Sequence, residues 1–509
     1  MIKILFVSSR SASFELNNDD IYYAKSAYNV FLNEKEVLSC VKKNVFSIYN
    51  LQPRTNYLLR INDYVLEFLT EEESSTLRVK DFGAYGDGTN DDTLSIQKTI
   101  LACPSQGRIL FDKGTYLVGP LFLKDNITIE IPEGTTLLGI TDREKYPILP
   151  AQIVCDEEVI ELSSWEGMPN PTYSSIITGL FSENVNIIGK GIIDENAQNS
   201  LWWINHKEKF NGAYRAKGVF LSHCKNITLQ GIIVKNTPSW NIHPYFSERI
   251  KLIDVLLFSP KDSPNTDGCN PESSRDIEII GVDFSVGDDC IAIKSGKYEM
   301  GMKYRKPSEN ITIRNCHMAY GHGAIVLGSE MSGGVRNLDV SRCLFESTDR
   351  GLRIKTRRGR GESGIITDIK FEKIYMNHVK NPFVINMFYF CDDDGKTEYV
   401  YTKEALKIDE RTPYLGNFVF KDIICENVHQ SAGFFYGLPE QPIESITFDN
   451  IKIRYADEIE AGYPAMMSYV DKMSRFGIFS KNVNNLIIKK LDILGSLGDD
   501  IDSDMKKLN

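Results

Sequence analysis

A short apolar motif recurs through most of the chain, and this repeat limits the possible folds more than any other feature. Each copy places Asn, Asp or Ser before a short apolar run. Consecutive copies in the middle of the chain begin 34, 27 and 31 residues apart (276 to 310, 310 to 337, 337 to 368). Short strands at such a period, without helical periodicity, predict a β-solenoid. The copies begin at Asn126, Asn186, Asn226, Asp276, Asn310, Asn337, Asp368 and Ser445.

A solenoid of this kind has consequences for the residues at its turns. One coil cannot bury its own apolar side chains, so the core forms only when neighbouring coils stack. Asn and Asp side chains at equivalent turns are therefore expected to hydrogen-bond along the stack. Four cysteines recur at intervals of about one coil, which predicts a ladder of buried, unreactive thiols. These are Cys269, Cys290, Cys316 and Cys343.

The first 76 residues follow a different pattern, in which strand-like segments alternate with turns. This pattern predicts a small β-sandwich, and residues 51–57 resemble the Leu-x-Pro-x-Thr-x-Tyr corner of fibronectin type III domains. A polar run at 71–75 is typical of a linker. We predict a fibronectin type III-like domain at 1–76 and a solenoid domain at 77–509. The predicted strands are Ile2–Val7, Ala27–Leu32, Val45–Leu51, Asn56–Ile61 and Tyr64–Phe68.

Charge and hydropathy bear on the partners and the location of the protein. The chain has a formal net charge of -11, so nucleic acid is not an expected partner. The N-terminal apolar run is too short for a signal peptide, and no run reaches membrane-spanning length. We therefore expect a cytoplasmic protein with no membrane partner, and an extracellular one only if a leader has been removed. The ten cysteines show no metal-type spacing, and the sequence does not indicate an oligomeric state.

Three aspartates stand at polar turns one coil apart. Asp267 ends the turn at 265–267, and Asp288 and Asp289 follow Gly287, so that Asp288 comes 21 residues after Asp267. Adjacent coils would bring the turns within about 4.8 Å, with Gly287 bending the chain so that both following carboxylates face one site. Carboxylates this close repel, so one should keep its proton near neutral pH. A protonated acid beside an ionised base is what glycoside hydrolysis requires.

Positively charged residues follow within a few coils. His322 lies between two glycines, while Arg353 and Lys355 are two apart in a predicted strand and therefore project from the same face. A sugar carboxylate is the natural partner of two converging cations. Three further arginines are expected to deepen this positive patch, namely Arg357, Arg358 and Arg360.

These motifs, in this order, resemble the four signature motifs of the polygalacturonases, glycoside hydrolase family 28. Residues 81–93 are similar to the start of pectin-acting β-helices, so the resemblance runs from about residue 78 to the C-terminus. It implies an all-β fold with a right-handed parallel β-helix of the pectin-lyase type. It also implies hydrolysis of α-1,4-galacturonosyl linkages of pectic oligo- or polysaccharides, with inversion and with no metal or other cofactor. The motifs are Asn265-Thr266-Asp267, Gly287-Asp288-Asp289, Gly321-His322-Gly323 and Arg353-Ile354-Lys355.

The resemblance further implies a role for each residue of the motifs. Asp288 would be the general acid, and Asp267 and Asp289 would position and deprotonate the attacking water. His322 would tune the proton of Asp288. The substrate would be held by Asn265, Arg353, Lys355 and Tyr389.

The sequence departs from the family in places that affect the cleft. The usual Asp-Gly-x-Gly after an early turn is here Asp-Glu-Asn-Ala at 194–197, so the cleft near it is expected to differ. Insertions at 142–175, 196–215 and 297–308 are expected to close one end, which favours removal of terminal units over cutting in mid-chain. Three tryptophans are assigned to the core rather than to a sugar platform, namely Trp202, Trp203 and Trp240.

Two other classes of function fit parts of this pattern. A calcium-dependent β-helix of the pectate-lyase type would eliminate rather than hydrolyse, with Arg353 as its base. A solenoid that only binds carbohydrate would not need Asp288 at all. Within the family, rhamnogalacturonan or xylogalacturonan could replace homogalacturonan, although the pair of Arg353 and Lys355 favours galacturonate beside the cut bond.

Overall fold

The N-terminal strands form two antiparallel sheets in the computed structural model, which describes residues 2–503. The sequence pattern predicts five of the seven strands but misses Ala12–Leu16 and Lys35–Lys43. Ala12–Leu16 is buried on both faces and Lys35–Lys43 is mostly exposed, so neither shows a clear alternation of apolar and polar residues. One sheet contains Ile2–Val7, Ala12–Leu16 and Val45–Ile48; the other contains Lys35–Lys43, Tyr23–Leu32, Asn56–Ile61 and Tyr64–Leu69.

The strand Ala12–Leu16 is buried on both faces because the sandwich packs against the rest of the chain. Phe14 points into the sandwich core, while the side chain of Glu15 accepts hydrogen bonds from Arg314 and Asn315, both at 2.7 Å. Arg342 also pairs with Glu15. The predicted β-sandwich is therefore confirmed, whereas its resemblance to fibronectin type III and the domain division into 1–76 and 77–509 stay predictions.

The remainder of the described chain winds into a parallel β-helix, which confirms the predicted fold class. Its largest sheet has 23 strands and begins with Thr76–Arg78, which pairs in parallel with Gly107–Leu110. The other strands of this sheet are Asp87–Asp91, Gly114–Val118, Ile127–Ile131, Thr135–Gly139, Glu183–Gly189, Ile192–Asp194, Lys225–Gln230, Ile233–Lys235, Glu248–Ile253, Leu256–Phe258, Arg275–Ile280, Asp283–Ser285, Ser308–Arg314, His317–Ala319, Val335–Ser341, Leu344–Glu346, Ile365–Asn377, Tyr414–Leu415, Asn417–Val428, Ile443–Tyr455 and Val483–Leu494.

A second face of the helix is made by two further parallel sheets, and it is this face that carries the polar turns described below. The four-stranded sheet contains Leu121–Phe122, Ile177–Leu180, Val219–Ser222 and Ile242–Tyr245. The seven-stranded sheet contains Ile291–Ile293, Ile325–Gly328, Arg350–Lys355, Asn381–Asn386, Ser431–Tyr436, Phe476–Lys481 and Ile501–Ser503.

Stacking of apolar side chains from coil to coil builds the core. Ile250, Ile277, Ile311, Leu338 and Ile369 occupy the same register position on five consecutive coils. Each is almost completely buried. Burial of such a side chain contributes roughly 1.5–3 kcal/mol, so the stack as a whole supplies the stability that one coil lacks.

A ladder of Asn and Asp side chains runs along one turn of the helix, as the repeat predicts. The amide of Asn310 donates to the Asp276 carboxylate at 3.0 Å, and the amide of Asn337 donates to the Asn310 side-chain oxygen at 3.1 Å. All three have a left-handed backbone with φ near +55°, which Asn and Asp tolerate better than other residues with a Cβ. One assignment is wrong: the ladder residue of the second copy is Asn184, which bonds the Asn126 side chain, while Asn186 lies opposite Thr128 in the parallel sheet.

The four recurring cysteines are buried thiols, but they form two pairs instead of one ladder. The backbone N–H of Cys269 donates to the carbonyl of Cys290, and the backbone N–H of Cys316 donates to the sulfur of Cys343. All four side chains are buried. Burial raises the pKa of the Cys269 thiol, which keeps it protonated and unreactive.

The three insertions carry most of the structure that does not belong to a coil. Residues 142–175 form short antiparallel pairs, and 297–308 contain the helix Tyr298–Tyr304, which the sequence pattern does not reveal. No helix within residues 2–503 is long and apolar enough to span a membrane. The strands of the first insertion are Ile148–Leu149, Gln152–Cys155, Glu158–Glu161, Ser164–Trp165, Met168–Pro169 and Thr172–Tyr173; the other helices are Thr93–Ala102 and Glu398–Tyr401, with 3-10 turns at Val79–Phe82, Arg143–Lys145, Ala197–Asn199 and Asp394–Lys396.

Candidate active site

A pocket of about 500 Å³ lies on the second face of the β-helix, beside the turns that precede the strands of the seven-stranded sheet. The turns before the seven-stranded sheet supply the aspartates of the sequence motifs, and the strand Arg350–Lys355 supplies the two cations of the last motif. All eight residues that the sequence singles out lie in its wall, although they span more than 120 positions of the chain (265 to 389). They are Asn265, Asp267, Asp288, Asp289, His322, Arg353, Lys355 and Tyr389.

Backbone hydrogen bonds set the three aspartates on neighbouring coils. The N–H of Gly268 donates to the carbonyl of Asp289 at 3.0 Å, so Asp267 and Asp289 lie side by side. Asp288 lies beside the next coil, where its carbonyl accepts from the N–H of His322 at 3.2 Å. A Cβ on Gly287 would come within 2.5 Å of a backbone oxygen, so only glycine allows this close approach before the two aspartates.

Asp289 is held by both cations of the strand Arg350–Lys355. Its carboxylate accepts from Nζ of Lys355 at 2.8 Å and from the guanidinium of Arg353 at 3.4 Å. The side chain reaches them across Gly323, where a Cβ would lie 3.3 Å from the carboxylate. Burial alone would raise the pKa of Asp289, but the two cations outweigh it and lower the pKa to about 2. This carboxylate is therefore ionised.

Asp267 and Asp288 have the opposite electrostatic environment. Burial, followed by the charge of Asp288, raises the pKa of Asp267 to about 8, against a hydrogen bond from the Asn270 amide at 2.8 Å. Burial and the charge of Asp289 likewise raise the pKa of Asp288. The pair therefore holds a proton at neutral pH. Asp288 is the more exposed of the two and is the one placed to deliver that proton to a ligand.

His322 is fixed from the coil that follows it. Its ring nitrogen Nδ1 lies 2.9 Å from the carboxylate of Asp349. That hydrogen bond, acting against burial and helped by the charges of Asp288 and Asp289, raises the pKa of His322. The imidazole thus adds positive charge beside the acidic residues, and Asp349 is a site residue that the sequence motifs do not reveal.

A second buried ion pair lies in the pocket wall and also escapes sequence reasoning. Lys294 donates to Glu330 at 2.8 Å, and its Nζ lies 5.0 Å from the ring centre of Trp240. A lysine at the end of the apolar strand Ile291–Ile293 is the one sequence signal that could have identified it. Trp240 is buried, as its assignment to the core requires, and it also lines the pocket.

The insertions meet at one side of this pocket. Glu166, in the first insertion, lines it directly. The N–H of Lys297 in the third insertion donates to the carbonyl of Gly167 at 2.9 Å. Arg215, at the end of the second, donates to the side chain of Asn265 at 2.7 Å. Contacts from all three insertions therefore build one wall.

One sequence-based expectation about the pocket is wrong. The arginines after the strand Arg350–Lys355 do not extend its positive surface, because each is buried and paired with acidic residues. None of residues 194–197 lines the pocket, and the expected difference from the family in the cleft near them stays a prediction. The three arginines pair as Arg357 with Asp392 and Asp394, Arg358 with Glu440, and Arg360 with Asp392.

The chain resembles known proteins in both sequence and structure. It is 29% identical over 387 residues to a probable polygalacturonase of Vitis vinifera, covering 74% of each chain. It is 26% identical, with a TM-score of 0.65, to a hyperthermoactive exopolygalacturonase of Thermotoga maritima, covering 82% of this chain and 91% of that one. A family 28 exopolygalacturonase of Yersinia enterocolitica shares the fold over 99% of this chain and 97% of its own, with a TM-score of 0.75 and 17% identity.

Family models match two parts of the chain. Residues 76–154 match the family described as rhamnogalacturonase A/epimerase, pectate lyase-like. Residues 125–465, which make up well over half of the chain and include the four motifs of the pocket, match the family described as glycosyl hydrolases family 28. The chain belongs to the glycosyl hydrolases family 28.

Proposed function

We propose that this chain hydrolyses α-1,4-galacturonosyl linkages of pectate and oligogalacturonides, removing units from a chain end with inversion at the anomeric carbon. The observation that carries the proposal is the charge pattern of three aspartates on neighbouring coils. Asp289 contacts Lys355 and Arg353 and is held ionised, while burial and neighbouring negative charge raise the pKa of Asp267 and Asp288. Family membership and the names of the Vitis vinifera and Thermotoga maritima relatives support galacturonan as the substrate.

Asp288 acts as the general acid in this mechanism. It donates its proton to the glycosidic oxygen as the bond from that oxygen to the anomeric carbon breaks. Asp267 and Asp289 hold a water on the opposite face of the sugar, and one of them takes its proton as the new C–O bond forms. The positive charge of His322 favours the carboxylate that Asp288 becomes.

Arg353 and Lys355 are proposed to bind the carboxylate of the galacturonate unit as well as to keep Asp289 ionised. The Lys355 ammonium has three N–H donors, so it can bond Asp289 and a galacturonate carboxylate at the same time. Its Nζ also lies 5.8 Å from the ring centre of Tyr389, which covers the same part of the pocket. Asn265, oriented by Arg215, is proposed to contact the substrate from the opposite side.

The wall built by the three insertions supports removal of terminal units. A cleft for mid-chain cutting must let the polymer run through it in both directions. Here Glu166 and the ion pair of Lys294 and Glu330 occupy the side where the insertions meet. These side chains line that side of the pocket, and the strands of the first insertion cover it, so the sugar chain is proposed to end there.

The products formed from trigalacturonate and from polygalacturonate test this proposal. The expected first product from both substrates is monogalacturonate, or digalacturonate if the closed side holds two units. A ladder of mid-sized oligomers would overturn the terminal mode of attack while leaving hydrolysis intact. Products absorbing in the ultraviolet, formed by elimination, would overturn hydrolysis and favour the lyase alternative instead.

The location of the enzyme is a separate proposal. All ten cysteines of the chain are free thiols, which is typical of proteins in a reducing compartment. We therefore propose that the protein acts in the cytoplasm on short pectic oligomers that have entered the cell. Fractionation of cells expressing the tagged full chain would test this, with recovery outside the cell as the contradicting result.

A further inference from the structure

The imidazole of His322 is anchored by one nitrogen only. Its side chain is 56% exposed where it lines the pocket, so solvent alone would leave the ring free to rotate. The anchor is the hydrogen bond between Nδ1 and the carboxylate of Asp349, at 2.9 Å. Because an ionised carboxylate only accepts hydrogen bonds, Nδ1 carries the proton in this pair. Nε2 is then the nitrogen that the ring offers to the pocket.

The backbone places Asp349 where this contact forms. The N–H of Asp349 donates to the carbonyl of Gly321 at 3.1 Å, one residue before His322 on the previous coil. The carbonyl of Asp349 in turn accepts from the N–H of Asn381 at 3.1 Å on the following coil. Asp349 is therefore locked between two coils of the helix, and its side chain has a fixed position from which to orient the ring.

Two cations keep the Asp349 carboxylate ionised. Lys380 lies 3.3 Å from it and Arg350 lies 3.6 Å from it. Burial opposes ionisation, but the His322 hydrogen bond and these cations lower the pKa of Asp349 to about 2. The carboxylate is thus a permanent acceptor throughout the pH range in which His322 titrates.

The charged groups around His322 come from three coils. Asp288 and Asp289 face it from the preceding coil and Asp349 from the following one. On its own coil, Tyr320 lies under the ammonium group of Lys261. Among these acids, Asp349 contacts the ring and is not one of the three aspartates proposed to act in catalysis. It can therefore change the charge and the orientation of His322 without taking part in bond breaking.

We propose that Asp349 is a positioning residue, which holds the His322 imidazole with Nδ1–H on its own carboxylate and with Nε2 directed toward Asp288. Its contribution to hydrolysis passes entirely through His322. This inference rests on the proposed function of the pocket, since it assigns a role in the same proton transfer. It predicts that Asp349 and His322 behave as one unit rather than as two independent residues.

The test is a double-mutant cycle on trigalacturonate with Asp349→Asn, His322→Ala and the double variant. Asp349→Asn should lower kcat roughly 10- to 100-fold with little change in KM, less than the 10²–10⁴ of a complete acid–base group. The double variant should be no slower than His322→Ala alone. Losses that multiply would overturn the proposal. Glu460→Gln is the matched control, because Glu460 contacts Lys380 but not Asp349 or His322, and it should leave kcat unchanged.

The pH dependence of kcat separates positioning from a merely structural role. Asp349 raises the pKa of His322, so its removal lowers that pKa and His322 loses its charge at a lower pH. The alkaline limb of the profile should therefore move toward acid in Asp349→Asn and stay in place in Glu460→Gln. An unmoved limb in Asp349→Asn would overturn the proposal.

A measurement on the wild-type protein keeps the inference testable if Asp349→Asn does not fold. Nitrogen NMR of ¹⁵N-histidine, assigned by comparison with His322→Ala, reports which ring nitrogen carries the proton. The Nδ1–H tautomer is expected on deprotonation, with a pKa raised above that of a free imidazole by the Asp349 hydrogen bond; the Nε2–H tautomer would overturn the proposal. If the wild-type enzyme releases no galacturonate, the proposed function fails, and this NMR result still decides whether Asp349 orients the ring.

Discussion

Individual charges decide what each carboxylate of the pocket can do. Asp289 contacts Lys355 and Arg353 and is ionised, while burial raises the pKa of both Asp267 and Asp288. The same residue type thus serves as acid or as base according to its neighbours. Burial raises the pKa of Asp267 and Asp288, with a smaller contribution from repulsion between the carboxylates, whereas the two cations outweigh burial at Asp289.

We expect Asp288, the proposed general acid, to be the residue most sensitive to substitution. Asp288→Asn should lower kcat by several orders of magnitude while KM changes little. The variant loses the carboxyl group that donates the proton, and it also changes the balance of charge among the three aspartates. Steady-state kinetics on trigalacturonate measure this. The matched control is Asp262→Asn, an exposed aspartate of the preceding loop, which should retain wild-type turnover. If the Asp288→Asn variant kept a tenth of the wild-type kcat, Asp288 could not be the general acid.

Loss of Lys355 should change both affinity and pH dependence. Removing this cation raises the pKa of Asp289 from its lowered value, so the carboxylate gains a proton at a higher pH. The acid limb of kcat/KM in Lys355→Ala should accordingly move to higher pH. A charge-assisted contact of about 1.5–3 kcal/mol with the substrate is also lost, which lowers kcat/KM roughly 10- to 100-fold. Lys370→Ala, on the outer surface, is the control; an unshifted acid limb in Lys355→Ala would contradict the assignment.

The sequence motifs predict the site residues that can be identified by residue type and spacing. They do not predict the residues that enter the site through side-chain contacts between coils. The eight predicted residues fall into one pocket because each motif occupies the same turn or strand of successive coils. Lys294 and Glu330 meet across one coil, and Asp349 meets His322 across another. Apart from the position of Lys294 at the end of an apolar strand, these residues have no local signature, since a charged residue at a turn is usually solvated.

Among the structural elements, the ladder of Asn and Asp side chains shows how a turn is stabilised. Its residues adopt a left-handed backbone, and each side chain bonds the next coil. The sequence predicts the ladder because the motif repeats in phase with the coil. It does not reveal the helix Tyr298–Tyr304 or the pairing of the cysteines, because these depend on the course of a single insertion or turn.

Substitution of Asn310 separates the contribution of the side-chain hydrogen bonds to stability from that of backbone strain at this turn. Asn310→Ala loses the side-chain bonds and strains a backbone at φ +57°, so it should lower the free energy of unfolding by about 1–2 kcal/mol. Asn310→Gly loses the same bonds without that strain and should cost less. Urea denaturation followed by circular dichroism measures both. Equal losses would show that backbone strain contributes nothing at this turn.

At the scale of the whole molecule, the buried side chain of Glu15 ties the sandwich to the β-helix. It bonds Arg314, Asn315 and Arg342, which come from two consecutive coils. The contact lies on the large sheet, whereas the pocket lies on the second face. The sandwich thus contacts the β-helix through buried side chains on a different face from the pocket, and sequence patterns could not foresee this contact between residues some 300 positions apart.

Removal of Glu15 should loosen this junction without stopping catalysis. Glu15→Ala leaves two arginines near the interface without their partner, which costs about 3–5 kcal/mol for a buried pair. We expect a lower melting temperature and faster proteolysis at 70–76, with unchanged kcat on trigalacturonate. Glu34→Gln, which breaks only an exposed ion pair with Arg60, should change the melting temperature little. A stable Glu15→Ala protein would show that the junction depends on other contacts.

The anomeric configuration of the first product distinguishes inversion from retention. If Asp288 protonates the leaving oxygen while Asp267 and Asp289 hold water on the opposite face, an α-linkage must yield a β-anomer. Proton NMR of trigalacturonate during the first minutes of hydrolysis, before mutarotation, reads the new reducing end. We expect the β-anomeric signal to appear first and the α-signal to grow from it. An α-anomer as the first product would contradict the assignment of all three aspartates.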